Sequence, residues 1–178
     1  LCLERPWIST QVIDYIDREL VNIKRENIES VTVSDGTSQT SYTLTSENGQ
    51  VKIDQPGPEG QEFKTSDASS VFGALTSLNF EDVMSQSQAQ DMKFDKKYVV
   101  KTNDSRIYTF NIAKRDDKYF AKATAEFTDK EQITISQQDT EEQLKEKEAK
   151  LMANESIENF KLTTNGWVYQ LSSWKAEN

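Results

Sequence analysis

KYVVKTNDSRIYTFNIAKRDDKYFAKATAEF, residues Lys97–Phe127, reads as three β-strands joined by two tight turns. Tyr98 and Val100 alternate before Asn103-Asp104-Ser105, and Tyr108, Phe110 and Ile112 alternate along the middle strand. Asp116-Asp117 then turns the chain into Tyr119–Phe127. Alternation marks a strand with one buried face, and Asn, Asp and Ser are residues that tight turns accept. Ala121, Ala123 and Ala125 share a side with Tyr119 and Phe127. Small residues on one strand face leave room for a packed helix or a second sheet.

A weaker copy of this meander precedes it at Ile28–Ile53. Val31 and Val33 alternate up to Asp35-Gly36, Tyr42 and Leu44 resume the pattern, and Asn48-Gly49 turns into Val51 and Ile53. Pro56-Gly57-Pro58 and Glu59-Gly60 end it, because they cannot sit inside a sheet. Ser66-Asp67 reads as a cap for a helix over Ala68–Leu78, with Val71, Leu75 and Leu78 on one face. Asn79–Met84 reads as a short extended or turn segment, and Ser85–Gln90 as a polar linker.

After the second meander, Thr140 or Asp139 caps a charged helix to about Met152, with an apolar stripe of Leu144, Leu151 and Met152. Asn165-Gly166 turns into a last strand, Trp167–Leu171. Ahead of both meanders, Val12, Ile16 and Leu20 recur at helical spacing after Ser9 or Thr10. The rival reading there is an extended segment around Gln11–Ile16. The expectation is an α+β fold with antiparallel sheets and a tandem strand-strand-strand-helix repeat. Its halves are residues 1–84 and 85–178, forming one unit.

With 178 residues, 35% hydrophobic, and 8 Phe, 6 Tyr and 3 Trp, the chain can build a core. A net charge of −9 argues against a nucleic-acid partner, since phosphate must be met by a basic face. Lys93, Lys96 and Lys97 are the nearest approach to one. No run of apolar residues is long enough for a transmembrane segment. Cys2 has no partner for a disulfide, and lipid attachment there would need an apolar segment before it. A start at Leu1 without Met fits a piece of a longer protein whose anchoring segment has been removed.

The chain has no histidine, which removes the commonest general base and zinc ligand. Its six glycines form no phosphate-binding loop. The candidate carboxylates are Glu81-Asp82, Asp116-Asp117 and Asp14 with Asp17; the first two pairs read as turn and solvated residues, and no oxygen cluster suits calcium. The expectation is therefore no catalytic, cofactor-binding or metal site. Trp7, Trp167, Tyr169 and Trp174 are the candidate interaction surface, the competing reading being that the termini pack together and bury the tryptophans.

Several short segments together carry a family resemblance. They are Trp7-Ile8; Ile28-Glu29-Ser30-Val31-Thr32-Val33 with its Asp35-Gly36 turn and Tyr42-Thr43-Leu44; Ala74-Leu75-Thr76-Ser77-Leu78; Asp82-Val83; and Gly166-Trp167-Val168-Tyr169. This order resembles a bacterial domain-of-unknown-function family found in membrane-anchored auxiliary proteins of ABC-type, gliding-motility-related transport systems. The resemblance implies a non-enzymatic, extracytoplasmic interaction domain with transporter components as partners. It brings no catalytic residues. The alternatives are a carboxylate-dependent hydrolase of envelope polymers and a structural spacer.

Overall fold

A computed structural model of the chain describes residues 13, 16–54, 64–131, 133–134, 136 and 138–172. Cys2, Trp7, Ser9, Thr10, Asp14, Pro56-Gly57-Pro58, Glu59-Gly60 and Trp174 lie outside them.

The described strands are β1 (Glu19–Val21), β2 (Ile28–Asp35), β3 (Thr40–Glu47), β4 (Gln50–Ile53), β5 (Leu78–Ser85), β6 (Lys96–Thr102), β7 (Arg106–Arg115), β8 (Lys118–Phe127) and β9 (Trp167–Leu171). Two α-helices, α1 (Thr65–Phe72) and α2 (Glu141–Thr164), interrupt them. The expected α+β architecture is present, and both meanders belong to one nine-stranded sheet of order β1-β5-β9-β8-β7-β6-β2-β3-β4. Every pairing is antiparallel. The two meanders meet where β2 lies beside β6, with Val31 opposite Val100 and Val33 opposite Tyr98.

The hairpins follow from local chemistry. Asn48 and Gly49 adopt φ of 52° and 77°, and Asp116 and Asp117 adopt 50° and 58°. Two consecutive left-handed residues give a turn whose twist matches its strands, and Asn, Asp and Gly tolerate that conformation best. The turn after β2 differs from the simple Asp-Gly reading: its positive φ falls on Gln39, at 55°. Gly36 serves a close approach instead, since a Cβ there would lie 3.1 Å from the Asp95 carbonyl oxygen.

One face of the sheet carries the core. Val31, Leu44, Tyr98, Val100, Tyr108, Phe110, Ala121 and Ala123 are buried there with Phe72 of α1 and Ile157 of α2. Helix α1 packs over β2, β3 and β4, while α2 lies along β8 and touches β7. The alanine row of β8 thus receives a helix, as its small side chains imply. Phe160 of α2 meets Tyr108 edge-on, with ring centroids 5.4 Å apart. On the opposite face, Phe120, Val168 and Ala89 form a smaller apolar cluster. Elsewhere on that side the strands carry polar pairs such as Thr32 and Thr43, whose Oγ1 atoms are 3.1 Å apart.

Several local expectations are corrected. Leu20 belongs to a strand pairing with β5, and Ile16 sits exposed at a bend, so no helix continues through them. Asn79–Met84 is part of the full strand β5. Gln86–Ala89 is a 3-10 turn closed by a Ser85/Gln88 capping box rather than a featureless linker. Helix α1 stops at Gly73, is capped by Lys64 without a side-chain bond, and gives way to a 3-10 turn at Ala74–Ser77. Thr140 caps α2 as expected, reciprocally with Gln143, but the helix runs to Thr164. Its buried residues are Ala153, Ile157 and Thr164, whereas Leu144, Leu151 and Met152 face solvent.

Candidate functional site

Where α1 ends, the roof it forms over the sheet leaves a cavity of about 260 Å³. Val71, Ala74 and Leu75 form its roof, Val33, Tyr98, Phe110 and Ile112 its floor, and Leu78 and Leu171 a side wall. The polar lining residues are Ser34, Asp35, Thr40, Lys96 and Lys97, with the Tyr42 phenol beside them. These gather where β2 ends and β6 begins, Asp35 standing opposite Lys96. Lys96 shares strand parity with Tyr98 and Val100, so a charged residue sits at the end of a buried face.

The rim is tied down. Asp35 Oδ1 accepts hydrogen bonds from the Thr37 and Ser38 amides at 2.8 and 3.3 Å. Those two amides, with help from Lys96, hold its carboxyl below the usual carboxylate range. Gly36 N donates to Asp95 O at 2.7 Å, and Thr37 Oγ1 to Asp95 Oδ2 at 3.0 Å. Oδ1 of Asp35 is thus occupied by its own turn. Among the described residues, the Lys96 ammonium forms no hydrogen bond or ion pair, its charge being felt at Asp35.

Roof and floor are joined by one strong contact: the Tyr98 hydroxyl donates to Val71 O at 2.6 Å. Burial, reinforced by the neighbouring Tyr42, pushes the Tyr98 phenol far above its ordinary value. An unfolded chain releases that proton near about pH 10, while the folded chain keeps it. The unfolded state then binds fewer protons, so stability is level below this pH and falls as pH rises beyond it. Urea midpoints at neutral and alkaline pH check this. Tyr98→Phe is expected to cost about 1–2 kcal/mol at neutral pH and to make the alkaline decline shallower. A decline unchanged in slope would show that Tyr98 does not carry it.

A second feature lies on α2. Leu144, Leu151 and Leu162 fall on one line at the helical period of about 3.6 residues, opposite the buried Ala153 and Ile157. They are 40%, 46% and 78% exposed, and Met152 beside them is 64% exposed. Glu155 lies on the same line between Leu151 and Leu162, and Glu141, Glu148 and Glu158 flank it. The inner side of the helix is fastened to the segment before it. Lys147 Nζ lies 2.6 Å from Asp139 Oδ2, and Lys150 Nζ lies 3.1 Å from Asp129 Oδ2.

Trp167 is 45% exposed at the start of β9, so it remains available at the surface. Tyr169 does not belong to that surface, being only 6% exposed. Its ring packs against Phe80 with centroids 5.1 Å apart, and its hydroxyl donates to Thr163 O at 3.2 Å. Trp7 and Trp174 are outside the described residues.

The candidate carboxylates also separate. A β-bulge at Glu81 breaks the expected alternation, and both Glu81 and Asp82 are exposed. Glu81 accepts a hydrogen bond from Gln170 Nε2 at 2.9 Å, and Asp82 from the Val83 amide at 2.8 Å. Asp116 and Asp117 occupy the β7–β8 turn, and Asp17 accepts from the Glu19 amide at 3.0 Å. The half-buried Asp104 clamps the β6–β7 hairpin. Burial pushes its carboxyl up, but the Arg106 guanidinium, 2.6 Å away, and Thr102 outweigh this and hold it low.

Among the described residues, no buried side-chain polar atom lacks a partner. No cluster of three metal-ligating side chains is formed among them, and no helix is long and apolar enough to cross a membrane. Sequence reasoning missed the cavity, although Lys96 on a buried-face register was its available signal. No family model, curated protein or solved structure matches the chain.

Proposed function

We propose that this chain is a non-enzymatic interaction domain of a membrane-anchored protein, working outside the cytoplasm as an accessory to an ABC-type transporter. The observation that supports an interaction role is the line Leu144, Leu151 and Leu162 on the outer side of α2. Exposed leucines spaced among glutamates, on a helix whose other side is already buried, gain nothing from the fold and suit an amphipathic partner helix. The acidic border of the line favours a basic, amphipathic partner segment. The choice of a transporter as that partner rests on the family resemblance.

A tandem repeat of architecture is part of this proposal. The order of three strands, a helix and a strand runs from β2 through α1 to β5 and again from β6 through α2 to β9. The first strands of the two units pair at β2 and β6, and their last strands at β5 and β9. In the second unit the helix is long enough to project its own outer face.

In-cell crosslinking of the full-length protein, followed by identification of membrane-fraction partners, tests the proposal. Recovery of a permease or ATPase that is lost with Leu151→Lys/Leu162→Lys supports it. The same recovery from the double variant would move the contact off α2. Crosslinks only to unrelated envelope proteins would remove the transporter from the reading.

A further inference from the structure

We infer that the cavity under α1 is a binding site for a small single-chain amphiphile carrying one carboxylate, with the apolar body inside and the anionic head at Lys96. This does not depend on the transporter or on the α2 surface. The walls set the first half of the chemistry. Val33, Val71, Leu75, Phe110 and Ile112 offer no hydrogen-bonding side chain, and the one phenol on the floor, Tyr98, is already donating to Val71 O. A polar group placed deep in the cavity would therefore lose its water without a replacement partner.

The rim sets the second half. Asp35 accepts the Thr37 and Ser38 amides on Oδ1, while the Lys96 ammonium is left with no hydrogen bond or ion pair among the described residues. In a chain of net charge −9, a cation at the end of an apolar cavity is locally out of character, and it complements an anion. Thr40, whose Oγ1 lies 2.7 Å from Ser38 Oγ, lines the same end. Size narrows the class further. A volume near 260 Å³ lies just under the roughly 300–1,000 Å³ of drug-sized sites, which suits one short chain and excludes a two-chain lipid. The ties from Gly36 and Thr37 to Asp95 hold the rim in place before anything binds, so little ordering would be needed on binding.

Decanoate and its neutral counterpart decanol are the probes, followed by amide chemical shifts of the isotopically labelled chain. Saturable shifts confined to Val33, Val71, Leu75, Phe110 and Ile112 are expected with both, decanoate binding more tightly. Lys96→Met, a change at an exposed rim position, should weaken decanoate by roughly three- to fivefold and leave decanol unchanged. Val33→Trp should block both. Shifts concentrated on Leu144, Leu151 and Leu162, or no saturation with either probe, would overturn the site. An unchanged preference for decanoate in Lys96→Met would overturn the anionic head group. Should Val33→Trp fail to fold, the Lys96→Met comparison and the location of the shifts still decide.

Discussion

Phe72→Ala is expected to destabilise the domain by about 3–5 kcal/mol, a loss seen as a melting temperature lower by roughly 6–20 °C. Phe72 is the last residue of α1 and is fully buried. Truncating it removes an aromatic ring from a close-packed site and leaves a void that the short helix can only partly close. A second contribution comes from Arg25, whose guanidinium lies 5.3 Å from the centre of the ring. Arg25 also donates to Ser69 O at 3.0 Å and to Ser69 Oγ at 2.7 Å, so it braces the last turn of α1. That bracing needs Gly73, because a Cβ there would come within 2.7 Å of the Arg25 Nη1. Arg25→Ala should therefore cost about 1 kcal/mol, well short of Phe72→Ala. A loss under about 1.5 kcal/mol for Phe72→Ala would mean that α1 settles onto the sheet, with the cavity beneath it shrinking accordingly.

The matching expectation for the other helix is Ile157→Ala, at about 2–5 kcal/mol. Ile157 is wholly inaccessible and belongs to the same core cluster as the β8 alanines. Its comparison partner is Leu162 on the same helix, 78% exposed. Leu162→Ala should change stability by no more than about 0.5 kcal/mol. Thermal and urea unfolding of the pair therefore separate the side of α2 that holds the fold from the side left open to a partner. Equal losses would show that the outer leucines are already buried against something in the free protein.

Legibility in the sequence followed the range of the forces involved. The turns at Asn48-Gly49 and Asp116-Asp117 were readable because left-handed backbone selects Asn, Asp and Gly locally. The alanine row of β8 announced room for a helix or a second sheet, and α2 takes it. The length of α2 was not readable. Asn154, Ser156, Asn159 and Thr163 weaken its local propensity, and the buried Ile157 with the partly buried Phe160 overrides that through tertiary contact. Leu20 fits a helical period on paper yet lies in β1, because pairing with β5 decides its backbone. The cavity was hidden for a related reason: its lining comes from six strands, a helix end and the 3-10 turn after it, which no single window of sequence brings together. Tyr169 illustrates the same limit, since an aromatic in a short terminal strand carries no mark of which side it will occupy.

The placement of β9 has a consequence for how the chain reaches this structure. It lies between β5 and β8, pairing Val83 with Tyr169 on one side and Ala121 with Tyr169 on the other. Until those last residues emerge from the ribosome, β5 and β8 each present a strand edge with unmet amides and carbonyls. A nascent chain in that condition is exposed to pairing with its neighbours. Joining β5 to β9 also closes a long loop, which makes this step slow relative to the hairpins. The early meanders can form as they are synthesised, but the continuous sheet waits for one short strand that follows all the other described strands in the chain.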